Sequence, residues 1–230
     1  MTSPPPPGRR EAIIQTATVL FARDGYAAVG MRSIAAAVGI RASSLYHHFP
    51  SKVDLLHAVC EVATAAFISA QLPELERPGS PAERLGHVLR EHVLYFHEHR
   101  LEETVGRREL AALQQQAPAL FDEIQATRRG YQRALQDVIE AGVAAGEFDV
   151  EDANLATLAL LGLVNSVNTW FQEDGPDSIE AVADAFVAMG VGRLLAGPLA
   201  ASPTVPSAAA AAAAGPVSRS RPARGRGSPA

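Results

Sequence analysis

One 22-residue stretch, MRSIAAAVGIRASSLYHHFPSK at residues 31–52, constrains this chain more than any other. It holds two apolar-periodic segments, each far too short to stand alone as a helix in water. The first, MRSIAAAV, sets Ile34 and Val38 on one face. Gly39 breaks it, and Ile40 and Arg41 form a tight turn, as two steeply crossed helices require. The second segment, residues 42–49, buries Leu45 and Phe49 and ends at Pro50. Such a pair must lean on a third element. Residues 9–24 supply it, with Ile13, Ile14, Ala17, Leu20 and Phe21 at helical spacing and Gly25 as the stop.

The second segment is chemically unusual. Ser43, Ser44, Tyr46, His47 and His48 crowd into one and a half turns, where a helix built for stability would carry Glu, Lys and Ala. Hydroxyls, a phenol and imidazoles bond phosphates and base edges. Arg32, Arg41 and Lys52 flank them as phosphate-holding cations, so residues 9–52 read as a helix-turn-helix head offered to DNA. Charge agrees. Residues 1–60 carry six basic against three acidic side chains, whereas residues 61–200 carry ten against twenty-two. A basic head on an acidic body presents one end to a polyanion.

Residues 53–197 read as a helical body, so the chain is all-α: a three-helix head on six further helices. Ser51 caps the first of these, which runs to about residue 72 with Leu55, Leu56, Val59, Val62, Ala66 and Phe67 as its stripe. A helix opened by Pro81 repeats Leu85, Val88, Leu89, His92, Val93 and Phe96. Helices follow at residues 101–116, 118–145, 152–171 and 178–195, the last with a capping-box spacing at Asp177 and Glu180. The last two carry wide apolar stripes, including Leu158 and Val167, then Val182, Phe186 and Met189. By spacing alone these serve equally as internal core or as a face for a second copy. Residues 1–8, rich in proline, and 198–230, an Ala/Pro/Ser/Gly/Arg tail with four arginines and no acid, read as disordered extensions.

Other chemistries find little support. His47-His48 and His97-x-His99 lack the i,i+4 spacing of a helical metal pair. Gly190-x-Gly192 follows no strand, which excludes a dinucleotide loop. No Gly-x-Ser-x-Gly elbow occurs, and no cofactor is implied. One cysteine, Cys60 on an apolar stripe, reads as a buried structural thiol and fits a reducing cytoplasm. No apolar run reaches the roughly 18 residues that a membrane span needs.

Residues 11–58 resemble the DNA-binding domain of the tetracycline-repressor (TetR) family. The resemblance rests on IIQTATVLFARDGYAAV, MRSIAAAVGI and SSLYHHFPSKVDLL, with Gly39, Leu45, Tyr46, Phe49 and Lys52 in the family's frame, one residue longer between Gly39 and Leu45. Two positions depart from it: Gly30 stands where the family often has a capping hydroxyl, and Ser33 where it often has an acid. The resemblance implies a homodimeric transcriptional regulator, most often a repressor, that reads a palindromic operator and is released by a ligand in its body. It also makes the two terminal stripes a dimer interface. LREHVLYFHEHR, RRELAALQ and VNTWFQEDGPDSIEAVADAFVAMGVGRLL further resemble family members that respond to acyl-CoA thioesters. The ligand-binding residues expected on that basis are Phe96, Leu113, Phe121, Tyr131, Leu161 and Asn165, with Arg108 meeting phosphate beside Arg107, Arg128 and Arg129. The alternatives are another hydrophobic effector such as a drug, a helical enzyme or carrier, and a DNA-binding protein that answers to no ligand.

Overall fold

The computed structural model describes residues 8–196, and the expected terminal extensions lie outside them but for Gly8. Ten helices follow one another: α1 (Arg9–Asp24), α2 (Met31–Val38), α3 (Ala42–His48), α4 (Lys52–Leu75), α5 (Pro81–Glu98), α6 (Arg100–Arg108), α7 (Leu110–Gln116), α8 (Pro118–Ala144), α9 (Ala153–Trp170) and α10 (Ile179–Met189). A π-helical turn, Gly190–Leu194, extends α10, and no strand occurs among the described residues. The three-helix head is as the sequence implies. The body has seven helices rather than six, because the segment expected as one helix at 101–116 bends at Glu109 into α6 and α7. The Glu109 side chain is committed there to the head, accepting a bond from the Tyr26 N–H at 3.1 Å.

Local chemistry sets the boundaries. Gly39 adopts φ +76°, and the Ile40 N–H reaches back to the Ala35 carbonyl at 2.9 Å, closing the turn between α2 and α3. Ser51 accepts from the Asp54 N–H at the start of α4. Ser80 and Glu83 cap each other's backbone N–H groups at α5, a full capping box. The α10 cap is Ser178 rather than the expected Asp177, since the Ser178 hydroxyl accepts from the Ala181 N–H.

Two hydrophobic clusters fill the interior. One joins Ile13, Phe21, Ile34, Leu45 and Phe49 of the head to Leu55–Cys60 of α4 and to Val105, Leu113 and Ile124 of the body. The other gathers α5, α8, α9 and α10 around Phe67. The expected boundary after residue 52 is therefore no gap in packing: the interior changes hands within α4, between Cys60 and Phe67. α4 is also long and apolar enough to cross a membrane, against the reading of the sequence. It lies here as a core helix against α8, α5, α6, α1 and α7.

Two glycines mark close approaches. A Cβ at Gly190 would meet the Leu160 side chain at 2.7 Å, so glycine lets the π-turn settle on α9. A Cβ at Gly142 would lie 2.1 Å from the Phe148 ring, which the loop after α8 tucks onto the helix. Gly142→Ala should therefore destabilise the chain by about 1–3 kcal/mol through overpacking. A denaturant midpoint unchanged by the substitution would contradict this packing.

Candidate nucleic-acid interface and ligand chamber

Leu45 on α3 and Phe49 just after it turn inward and are 0% and 3% exposed. Ser43, Tyr46 and His47 are exposed, while Ser44 and His48 are half-buried. Tyr46 stands 49% exposed, too much for a phenol serving its own core. Arg32 and Arg41 are exposed on the same head, at the start of α2 and just before α3. This is a polar, aromatic and cationic face of a size to enter a major groove.

Lys52 departs from the reading as a phosphate anchor. Its ammonium donates to the Tyr26 carbonyl at 2.6 Å and the Val29 carbonyl at 2.8 Å, and lies 4.2 Å from the Tyr26 ring centroid. It staples the α1–α2 connector to α4. Three backbone oxygens converge there, and only the fold brings them within reach. Lys52→Met should lower stability by about 1–3 kcal/mol and leave the salt dependence of DNA binding unchanged. A phosphate contact would instead reduce that slope by about one unit.

The body holds a chamber of about 270 Å³ among α4, α5, α6, α7, α8 and α9. Phe67, Phe96 and Tyr131 wall it together with His92, with ring centroids 4.4–6.1 Å apart. Thr64, Ile68, Leu161, Asn165 and Asn168 line it too, as do Glu103, Arg107, Leu110 and Arg128. Four of the expected ligand-binding residues are present: Phe96, Tyr131, Leu161 and Asn165. Leu113 and Phe121 are not, since the bend at Glu109 directs Leu113 into the head cluster, and Phe121 packs there too. Arg108 is not in the chamber either; it donates to the Ala22 carbonyl of α1 at 3.2 Å.

Sequence reasoning placed His92 among apolar stripe residues without marking it as polar, and missed Glu103. Burial holds the His92 imidazole down to about 3, so it is neutral. Its Nε2–H then donates to Asn165 Oδ1 at 3.1 Å, leaving Nδ1 to accept from the Tyr131 hydroxyl at a long 3.4 Å. Burial raises Glu103 to about 7, with the Arg128 cation pulling the other way. Arg107 and Arg128 form no ion pair within 4.0 Å among the described residues, leaving two cations for an anion. Cys60 is buried, and its thiol is pushed up to about 12, as a structural thiol should be.

Helix α6 faces two ways. Glu103 and Arg107 line the chamber, while Arg108 and the junction residue Glu109 hold the head at Ala22 and Tyr26. Gln116, at the end of α7, adds a bond from the Tyr26 hydroxyl at 3.0 Å.

Of the expected dimer residues, Leu158 and Met189 are exposed, at 47% and 42%. Val167, Val182 and Phe186 are not available to a second copy, because each is buried in the chain's own core against α5 and its neighbours. The exposed apolar face instead adds Leu155, Trp170 and Leu194.

Residues 13–59 match the family model for bacterial regulatory proteins of the tetR family. Residues 78–194 match the model for the tetracyclin repressor-like C-terminal domain. A transcriptional repressor of Mycolicibacterium smegmatis, KstR2, is 28% identical over 190 residues, spanning 82% of this chain and 92% of its own. The fatty acid metabolism regulator protein of Bacillus subtilis is 25% identical, over 75% and 89%. Among solved structures, AibR in complex with isovaleryl coenzyme A and operator DNA superposes with a TM-score of 0.71. It is 27% identical, over 79% of this chain and 97% of AibR. PfmR of Thermus thermophilus, a TetR family regulator, also gives 0.71, at 29% identity over 78% and 97%.

The chain belongs to the TetR family of bacterial regulatory proteins. It is a DNA-binding transcriptional regulator with an N-terminal helix-turn-helix and a C-terminal ligand-binding body.

Proposed function

We propose that this regulator is a repressor that binds a palindromic operator as a homodimer in the cytoplasm and lets go when an acyl-CoA thioester enters the body. The observation that carries this reading is the mixed lining of the chamber: an aromatic wall for an acyl group, together with Arg107 and Arg128, which form no ion pair within 4.0 Å among the described residues. The KstR2 and fatty-acid relatives and the AibR complex point the same way.

Two α3 helices, one from each copy, would enter successive major grooves about 34–36 Å apart. The exposed apolar face of α9 and α10 sets that spacing by meeting its copy. Release then runs through α6. An anionic group drawn to Arg107 and Arg128 moves the helix whose other end grips Ala22 and Tyr26, and the head shifts with it. A 100-fold loss of DNA affinity needs about 2.7 kcal/mol of coupling between the two sites.

Calorimetric titration of the full chain with CoA esters of several chain lengths tests the ligand class. Binding that Arg107→Gln or Arg128→Gln weakens is expected. Binding of an uncharged hydrophobic drug while every ester fails would overturn the reading.

A further inference from the structure

The chamber carries more polar chemistry than a plain hydrocarbon chain would use. Thr64 on α4 is 7% exposed and lines it, yet its hydroxyl has no hydrogen-bond partner among the described residues. The Thr16, Thr18 and Thr157 hydroxyls each bond the carbonyl four residues back at 2.7–2.9 Å; that of Thr64 does not. Tyr131 on α8 is 5% exposed and lines the same chamber. Its only bond is the 3.4 Å contact to His92 Nδ1, well beyond the roughly 2.8 Å at which a hydroxyl bonds best. His92 is fixed on its other side by Asn165, so the imidazole cannot swing to shorten that contact without giving up the 3.1 Å bond. Two hydroxyls thus line the chamber with bonding capacity that water or a ligand can take up. A ligand that displaces the water must replace its bonds or lose affinity.

We infer that the acyl group recognised by this chamber carries its own oxygen, as a hydroxyl or keto group bonded by Tyr131 and Thr64. This inference rests on the acyl-CoA reading above and narrows it. The oxygen accepts from the Tyr131 hydroxyl, which then need not serve the distant imidazole, and a ligand hydroxyl can in turn donate to Thr64. The aromatic rings hold the carbon chain, while Arg107 and Arg128 remain for the phosphates.

The test is calorimetric titration of the full-length protein with 3-hydroxybutanoyl-CoA, butanoyl-CoA and hexadecanoyl-CoA. The hydroxylated ester should bind roughly tenfold more tightly than butanoyl-CoA, the worth of about one hydrogen bond. Tyr131→Phe should reduce that preference to about twofold. Thr64→Val gives an independent arm if the tyrosine variant does not fold. Equal affinities for the two short esters overturn the inference and leave the acyl-CoA reading standing. A tenfold preference that survives both substitutions overturns the assignment to these hydroxyls. Silence from all three esters removes the acyl-CoA reading and this inference with it.

Discussion

Tyr46→Ala combined with His47→Ala lowers affinity for a palindromic operator by about 100-fold or more and leaves the dimer intact. Each base-directed contact is worth about 1–3 kcal/mol, so two lost together cost about 2–6 kcal/mol, a range centred above the roughly 2.7 kcal/mol that 100-fold represents. Both side chains are exposed on α3, and neither belongs to the head's buried cluster, so their truncation leaves no cavity behind. Leu45 and Phe49, which hold α3 against the head, are untouched. The variant should therefore melt like the parent and elute at the same size. Gel-shift titration against an operator selected from random DNA reads the loss. Retained specific binding would mean that another element reads the bases. Weak residual binding should still fall steeply as salt rises, since Arg32 and Arg41 remain for the phosphates.

The second large effect concerns Glu103. Burial raises its carboxyl from 4.5 to about 7, while Arg128 opposes the shift and Glu102 adds to it. Arg107 lines the same chamber, and Cys60 of α4 interacts with both Arg128 and Glu103. Between pH 4.5 and 7 the native chain holds a proton that the unfolded chain has released. The stability of the neutral carboxyl is therefore fully present below pH 4.5 and is lost as pH climbs through 7. At 1.36 kcal/mol per pH unit the loss has a ceiling of about 3 kcal/mol, and relaxation around the charge brings it nearer 1–2. Glu103→Gln, which stays neutral, should erase this part of the profile. Its melting temperature should exceed the parent's by several degrees at pH 8 and match it near pH 5. Parallel melting profiles for the two proteins would show that the carboxyl is solvated and not held in the chamber.

The helices and the head were legible in the sequence because their signals are local. Apolar spacing, Gly25 and Gly39 as stops, and Ser51 as a cap all act within a few residues. The carbonyl bonds of Lys52 were not legible in the sequence because their acceptors lie 23–26 residues away, in the connector that the fold lays against α4. Leu113 and Phe121 were misplaced for a related reason. They follow apolar spacing as well as any chamber residue, but the bend at Glu109 is fixed by a contact to Tyr26, 83 positions earlier. The dimer stripe divided the same way. Periodicity marks Val167, Val182 and Phe186 as apolar, and only packing shows that they face inward while Leu158 and Met189 face out. His92 did leave a trace, as the one histidine in the run Leu85, Val88, Leu89, Val93 and Phe96. A buried imidazole with two polar neighbours on other helices is what that trace meant.

The account turns on communication between the chamber and the head through α6. The most direct measurement is release of the selected operator from the full-length dimer by a short acyl-CoA, compared between the parent and Glu109→Ala with Arg108→Ala, which removes both contacts to the head. Calorimetry on the same proteins reports ester affinity separately. The account predicts that the parent loses DNA affinity by about 100-fold at saturating ester, and that the double variant still binds the ester but releases DNA much less. Equal release by both proteins, with equal ester affinity, would contradict it.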